Sequence, residues 1–106
     1  MGKKESLMRF LLDFKKSVSG IMPITKMILF GSMARGDFKK DSDVDLIVVS
    51  SEFKGMLFSR RNSKLYDFWN IDYPVDFLCL TPEEFSKMKK QVSIVSMALK
   101  EGTIIA

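Results

Sequence analysis

The sequence contains no histidine. That excludes Ser-His-Asp triads, Cys-His dyads and histidine-ligated zinc. Any bound metal must be held by oxygen ligands, which favours magnesium or manganese. There is a single cysteine, Cys79, inside the apolar run Phe77-Leu78-Cys79-Leu80. No disulfide can form within the chain, which fits a reducing cytoplasm. The thiol reads as a small buried hydrophobe, not a nucleophile. No apolar run approaches the length that crosses a bilayer. Met1-Gly2-Lys3-Lys4-Glu5 leads into an amphipathic stretch, not a signal core. A dense basic run is also missing. The net charge of +4 is spread along the chain, so the surface can attract nucleotides, RNA or an acidic protein without singling out nucleic acid.

Hydrophobic residues make up 46% of the 106 positions. That suffices for one compact domain over 1–106 with a real core. Leu7, Phe10, Leu11, Phe14 and Val18 recur at helical spacing and predict a helix from Lys3 to Val18, ended by Gly20 and Pro23. Lys26–Phe30 reads as a buried strand stopped by Gly31. Val44–Val49 is apolar on both faces, the pattern of a central strand covered by helices. Met56–Trp69 carries apolar residues near helical spacing and predicts a helix, broken by Asn70-Ile71-Asp72-Tyr73-Pro74. Val75–Leu80 is a third apolar strand. Thr81-Pro82-Glu83-Glu84 is a helix start, with threonine as N-cap, proline in the first turn and Glu84 at the capping-box position. Val92–Lys100 predicts a further helix stopped by Gly102, and Thr103-Ile104-Ile105 a short edge strand. The order predicts an α/β (α+β layered) fold, a small mixed sheet flanked by helices.

The informative segment is Gly31-Ser32-Met33-Ala34-Arg35-Gly36, followed by Asp43-Val44-Asp45. Glycine directly after a strand permits unusual dihedrals and close backbone approach. If a short helix begins near Ser32, its free N–H groups face an anion, and the hydroxyl adds a donor. The turn is not a Walker loop, because the glycine-lysine-serine ending is missing. Arg35 lies near enough to meet phosphate charge, or else faces solvent or an ion-pair partner. Lys39 and Lys40 read as a solvated loop.

Residues two apart in a strand share a face, roughly 6.5–7 Å apart. Asp43 and Asp45 can thus present two carboxylates to cations about 3.5–4 Å apart, or else Asp41-Ser42-Asp43 is an ordinary solvated acidic turn. A calcium loop would use Asp41, Asp43, Asp45 and Glu52, but Leu46 stands where that loop needs glycine. Asp76, inside an apolar strand, is costly if buried and unpaired. If its strand neighbours Val44–Val49, about 4.8 Å away, Asp76 joins the other two. Otherwise it is a strand-end aspartate facing water.

Gly31-Ser32, ten intervening residues and Asp43-Val44-Asp45 resemble the signature of the DNA polymerase beta-like nucleotidyltransferases. The wording G-S-M-A-R-G-D followed by S-D-V-D-L-I-V-V is similar to the minimal nucleotidyltransferase (MNT) branch. The resemblance runs from about Ile24 to Leu80, with Thr81-Pro82-Glu83-Glu84-Phe85 alike as well. It implies a polymerase beta-like core. Asp43, Asp45 and Asp76 would be the catalytic carboxylates, binding two Mg2+ ions, with Mn2+ as a substitute. Gly31 and Ser32 would cradle the β- and γ-phosphates, with Arg35 beside them. The implied reaction transfers a nucleoside monophosphate, AMP from ATP, to an acceptor hydroxyl and releases pyrophosphate. Members of this branch are often paired with a separate helical HEPN protein in toxin–antitoxin systems, where AMP addition silences the toxin. Two other functions compete: a nucleotide-binding or partner-binding module with little catalysis, and an RNA-modifying nucleotidyltransferase.

Overall fold

The computed structural model describes residues 2–38, 42–91 and 93–105. Lys39, Lys40, Asp41 and Val92, each read in the sequence above, lie outside the described residues. Helix α1 spans Lys3–Val18, and strands β1, β2 and β3 span Lys26–Phe30, Val44–Val49 and Val75–Leu80, as the periodicity predicts. A two-residue strand β4, Thr103–Ile104, completes a four-stranded sheet of order β3-β2-β1-β4. Strand β1 pairs antiparallel with β2 and β4, while β2 and β3 run parallel. The sheet is therefore mixed.

Both faces of the sheet are covered. Leu7, Leu11, Phe14 and Val18 of α1 pack on one face, against Met27, Leu29, Leu46, Val48, Phe77 and Cys79. Ile28, Ile47, Val49 and Leu80 face the other way, toward Phe85, Val95 and Ala98. Those three belong to α3, Pro82–Met88, and α4, Ile94–Glu101. Every residue of β2 from Leu46 to Val49 is buried, as a central strand requires. The Cys79 thiol is buried among apolar neighbours, and that burial pushes its pKa up to about 12. It is an inert part of the core.

The predicted helix over 56–69 is a correction. That segment forms a 3-10 turn at Phe58–Arg60 and a single helical turn, α2, at Ser63–Tyr66. The reason lies in competing hydrogen bonds. In an α-helix the Arg60 N–H would take the Met56 carbonyl. Here the Arg61 Nε takes it at 3.3 Å, and the Arg60 N–H turns to Leu57 O at 2.9 Å. Ser63 Oγ then donates to Arg60 O at 3.1 Å. The apolar spacing still has its effect, because Leu65 is fully buried and Phe68 and Trp69 pack on the core. Trp69 lies edge-on to Phe10, Phe14 and Phe77 and donates its Nε1–H to Tyr73 O at 2.8 Å.

Arg61 is 7% exposed and does more than end a helix. Ser50 N–H and Val44 N–H bond to Leu80 O and Pro74 O. The alternate carbonyl of Cys79 therefore faces the open edge of β3. Arg61 Nη1 donates to it at 3.1 Å and also meets Glu84 Oε1 at 2.6 Å, while Nη2 donates to Glu84 Oε2 at 3.2 Å. Glu84 Oε1 in turn accepts from Thr81 N–H at 2.8 Å, and Thr81 Oγ1 accepts from Glu84 N–H at 3.1 Å. The predicted capping box is thus present, and Arg61 ties it to the sheet edge.

Helix α4 begins at Ile94 with Ser93 as N-cap and ends at Glu101, one residue beyond the predicted end. Gly102 stops it in extended backbone, φ −85°. A side chain there would collide with the carbonyls of Ala98 and Leu29, so close packing onto β1 demands the glycine.

The Arg61 guanidinium holds the Glu84 carboxyl below its ordinary pKa of 4.5. A lowered acid stabilises the fold above its unfolded pKa and loses that effect as pH falls through the lowered value. The Glu84 side chain is partly open to solvent, which screens the pair, so Glu84→Gln should cost about 0.5–1 kcal/mol at neutral pH. Chemical denaturation of variant and wild type should converge as the pH falls below 4.5.

Candidate active site

Three strand ends meet at one rim of the sheet. Because β1 runs antiparallel to β2 and β3, its C-terminal end lies beside the N-terminal ends of the other two. In β2, Asp45 pairs with Phe30 of β1 on one side and with Asp76 of β3 on the other. Residues directly opposite one another share a face. The parallel register thus brings Asp76 beside Asp45, and the condition set by the sequence is met.

Asp43 stands one residue before β2, outside the strand proper, and is exposed. Asp76 is also exposed and Asp45 half-buried. The Asp45 carboxyl is raised from its ordinary value of 3.8, first by burial, then by the charges of Asp76 and Asp43. Asp45 therefore feels the charge of both other carboxylates. Among the described residues no three acidic or sulfur side chains are gathered as a ready-made cation site. Like charges side by side favour such separation.

Gly31 follows β1 directly, with φ +76°. That is the left-handed region that glycine tolerates. A Cβ at this position would overlap Oδ2 of Asp45. The missing side chain is the space in which the Asp45 carboxylate lies. No helix begins at Ser32. Instead, residues 32–36 form a turn, in which Ser32 O accepts from Arg35 N–H at 3.1 Å and Asp37 N–H at 2.9 Å, and Met33 O from Gly36 N–H at 3.1 Å. The first N–H to donate inside this turn is that of Arg35. Among the described residues, those of Ser32, Met33 and Ala34 have no acceptor within it. Met33 and Ala34 are buried and anchor the turn in the α1-side core.

Arg35 is exposed and lines a small cavity of about 110 Å³ with Phe30, Gly31, Met97 and Glu101. The structure places Arg35 with Gly31 in the wall of this cavity. Sequence reasoning missed the α4 wall of this cavity. Ile94 and Met97 are exposed there, and their helical spacing signals only an amphipathic helix.

A glycine turn set against strand-end carboxylates is thus the geometry of this rim. The nucleotidyltransferase-domain family model matches residues 7–105, and the chain belongs to that family. It falls in the minimal branch of the polymerase beta-like superfamily, as its motifs imply. Two candidate protein adenylyltransferases of Methanocaldococcus jannaschii are similar to it. One is 30% identical over 71 residues, covering 65% of this chain and 72% of the relative. The other is 39% identical over 49 residues, covering 46% and 47%. A crystal structure described as a candidate nucleotidyltransferase from Sulfolobus solfataricus shares the fold, with TM-score 0.65 and 23% identity, over 98% of this chain and 87% of that one. Among the described residues no helix is long and apolar enough to cross a membrane.

A raised acid holds its proton more firmly in the folded state, so its ionisation weakens the fold at neutral pH. Protonation relieves that cost as the pH falls through the raised pKa. Asp45→Asn should accordingly raise Tm in metal-free buffer at neutral pH. The gain should vanish under acid conditions in paired thermal melts.

Proposed function

We propose that this protein is a magnesium-dependent nucleotidyltransferase that moves AMP from ATP onto a hydroxyl group of a partner protein. The observation that carries the reading is the Asp45 carboxylate, set against the side-chain-free face of Gly31 and in register with Asp76. The M. jannaschii relatives, named for adenylyl transfer to protein, support AMP and a protein acceptor.

Asp43, Asp45 and Asp76 would hold the cations. The donor set fits: it is all oxygen, and while burial is the first cause that raises Asp45, the charges of Asp76 and Asp43 that add to it are the kind a cation offsets. When bound there, magnesium, or manganese in its place, would supply positive charge against the phosphates and the attacking hydroxyl. The turn N–H groups at Ser32 and Met33 and the Arg35 guanidinium hold the β- and γ-phosphates. The acceptor oxygen attacks the α-phosphorus and a new P–O bond forms. The bond to the β-phosphate oxygen breaks, and pyrophosphate departs with its electron pair. The hydroxyl proton passes to the Asp76 carboxylate and then to water.

The acceptor on this reading is a separate helical HEPN-type protein encoded beside this one, silenced by AMP as a toxin by its antitoxin. The motif resemblance supports it. The free, buried Cys79 is in keeping with work in the cytoplasm.

Labelled ATP and magnesium, incubated with the gene neighbour's product, should label that protein. Asp45→Ala and Asp76→Ala should each lower the labelling at least about 100-fold. Tight ATP binding without transfer would point to a binding module, and strong labelling of total RNA would move the acceptor to RNA. Magnesium ATP at about 100 times its Kd should stabilise the wild type by about 2.7 kcal/mol. For a domain this small that raises Tm by about 10 °C or more. Differential scanning calorimetry checks this, and an unchanged Tm would count against the site.

A further inference from the structure

The 32–36 turn is closed at its back by its own bonds, with one exception. Ser32 O and Met33 O are taken by N–H groups of the turn and its next residue, Asp37. The next carbonyl, that of Ala34, is taken from elsewhere. Lys4 Nζ of α1 donates to it at 2.7 Å, across 30 positions of sequence. The peptide unit joining Ala34 to Arg35 is therefore held at both ends, its N–H by Ser32 O and its C=O by Lys4. A peptide unit is planar, so gripping both ends fixes its rotation. That rotation sets where the Arg35 side chain leaves the backbone and where the Ser32 carbonyl sits. The Lys4 bond carries a full charge, which makes it roughly twice as strong as a neutral one.

Lys4 itself is exposed, although it lies on the same stripe of α1 as Leu7 and Leu11, at the end from which its ammonium reaches the Ala34 carbonyl. Removing its ammonium leaves no cavity in the core, so its effect on the turn is separable from folding. Lys3 is its neighbour, also exposed and of the same charge. Among the described residues it makes no bond to the turn.

We propose that Lys4 is a positioning residue for the triphosphate: by gripping the Ala34 carbonyl it holds Ser32 and Arg35 in place beside Gly31 and Asp45. This rests on the reading of the 31–36 turn as a phosphate cradle. Lys4 touches no phosphate. It acts through the backbone of the turn, and it makes α1 part of the site's support.

The test is calorimetric binding of magnesium tripolyphosphate, a probe with neither base nor sugar, well below each protein's Tm. Lys4→Met should bind about five- to tenfold more weakly than wild type, the scale of a misplaced charged contact. Lys3→Met, which loses the same charge, should stay within about twofold, as a screened surface charge does. Lys4→Arg, which can still donate to the carbonyl, should recover most of the affinity. Wild-type affinity in Lys4→Met overturns the proposal. So does equal weakening by Lys3→Met, which would mean bulk charge, or equal weakening by Lys4→Arg. Gly31→Ala separates the two levels. If it weakens tripolyphosphate binding while Lys4→Met does not, the cradle stands and Lys4 falls. If wild type binds magnesium ATP but not tripolyphosphate, the cradle reading falls and the Lys4 proposal with it.

Discussion

The Asp45 carboxylate lies in a space that only a glycine at position 31 leaves open. Much of the rim is arranged around that contact. Gly31 must take φ +76° to turn the chain away from β1, and the same residue must lack a side chain where the neighbouring strand brings its acid. Two demands, a left-handed backbone and a missing Cβ, fall on one position. Asp45 meets opposing demands of its own. It is half-buried, and the charges of Asp76 and Asp43 press on it. Without counter-charge this arrangement weakens the fold, since an isolated domain gains nothing from crowding carboxylates. Sites that bind cations or phosphates tolerate such local cost because the ligand reverses it.

That local cost is carried by a rigid frame. Both faces of the sheet are packed, by α1 on one side and by α3 and α4 on the other. The far end of β3 is held by Arg61, which binds an edge carbonyl, a loop carbonyl and the capping-box carboxylate together. Buried charge of this kind contributes little net stability, because desolvation offsets much of the attraction. What it supplies here is register: it fixes the edge of β3 against α3. Since Asp45 faces Asp76 through the β2–β3 ladder alone, a slip of one residue would turn Asp76 to the opposite face.

Much of this could be read from the residues. The three main strands and α1 were legible because their apolar periods are long and their ends are marked by Gly31, Gly20 and Pro23. The capping box at Thr81 was legible because it is a local contract between residues three apart. The 56–69 segment was not, because its fate depends on Arg61 reaching Cys79 and Glu84, contacts of 18 and 23 residues' separation. Periodicity sees which side chains are apolar but not which carbonyl a guanidinium will claim. The pairing of Asp45 with Asp76 was open for the same reason: strand order and register are long-range facts. Gly102 was read as a helix stop, and its physical demand turned out to be close approach to Leu29, which no local pattern contains. Lys4 carried no signal, being one lysine among many.

Strand order also gives the proposed reaction a direction. The turn that would hold the β- and γ-phosphates leaves β1, while Asp45 stands on β2 and Asp76 on β3, in that order across the sheet. In-line displacement needs the leaving group and the attacking oxygen on opposite sides of the α-phosphorus. With pyrophosphate over the β1 turn, the acceptor hydroxyl must come from the β3 side. There Asp76 is exposed, where the proposed reaction needs a proton acceptor. The half-buried Asp45, between the two, is the acid least open to an approaching acceptor. On the proposed reaction, three similar carboxylates would thus differ in role by position alone, each one strand or one strand-end apart.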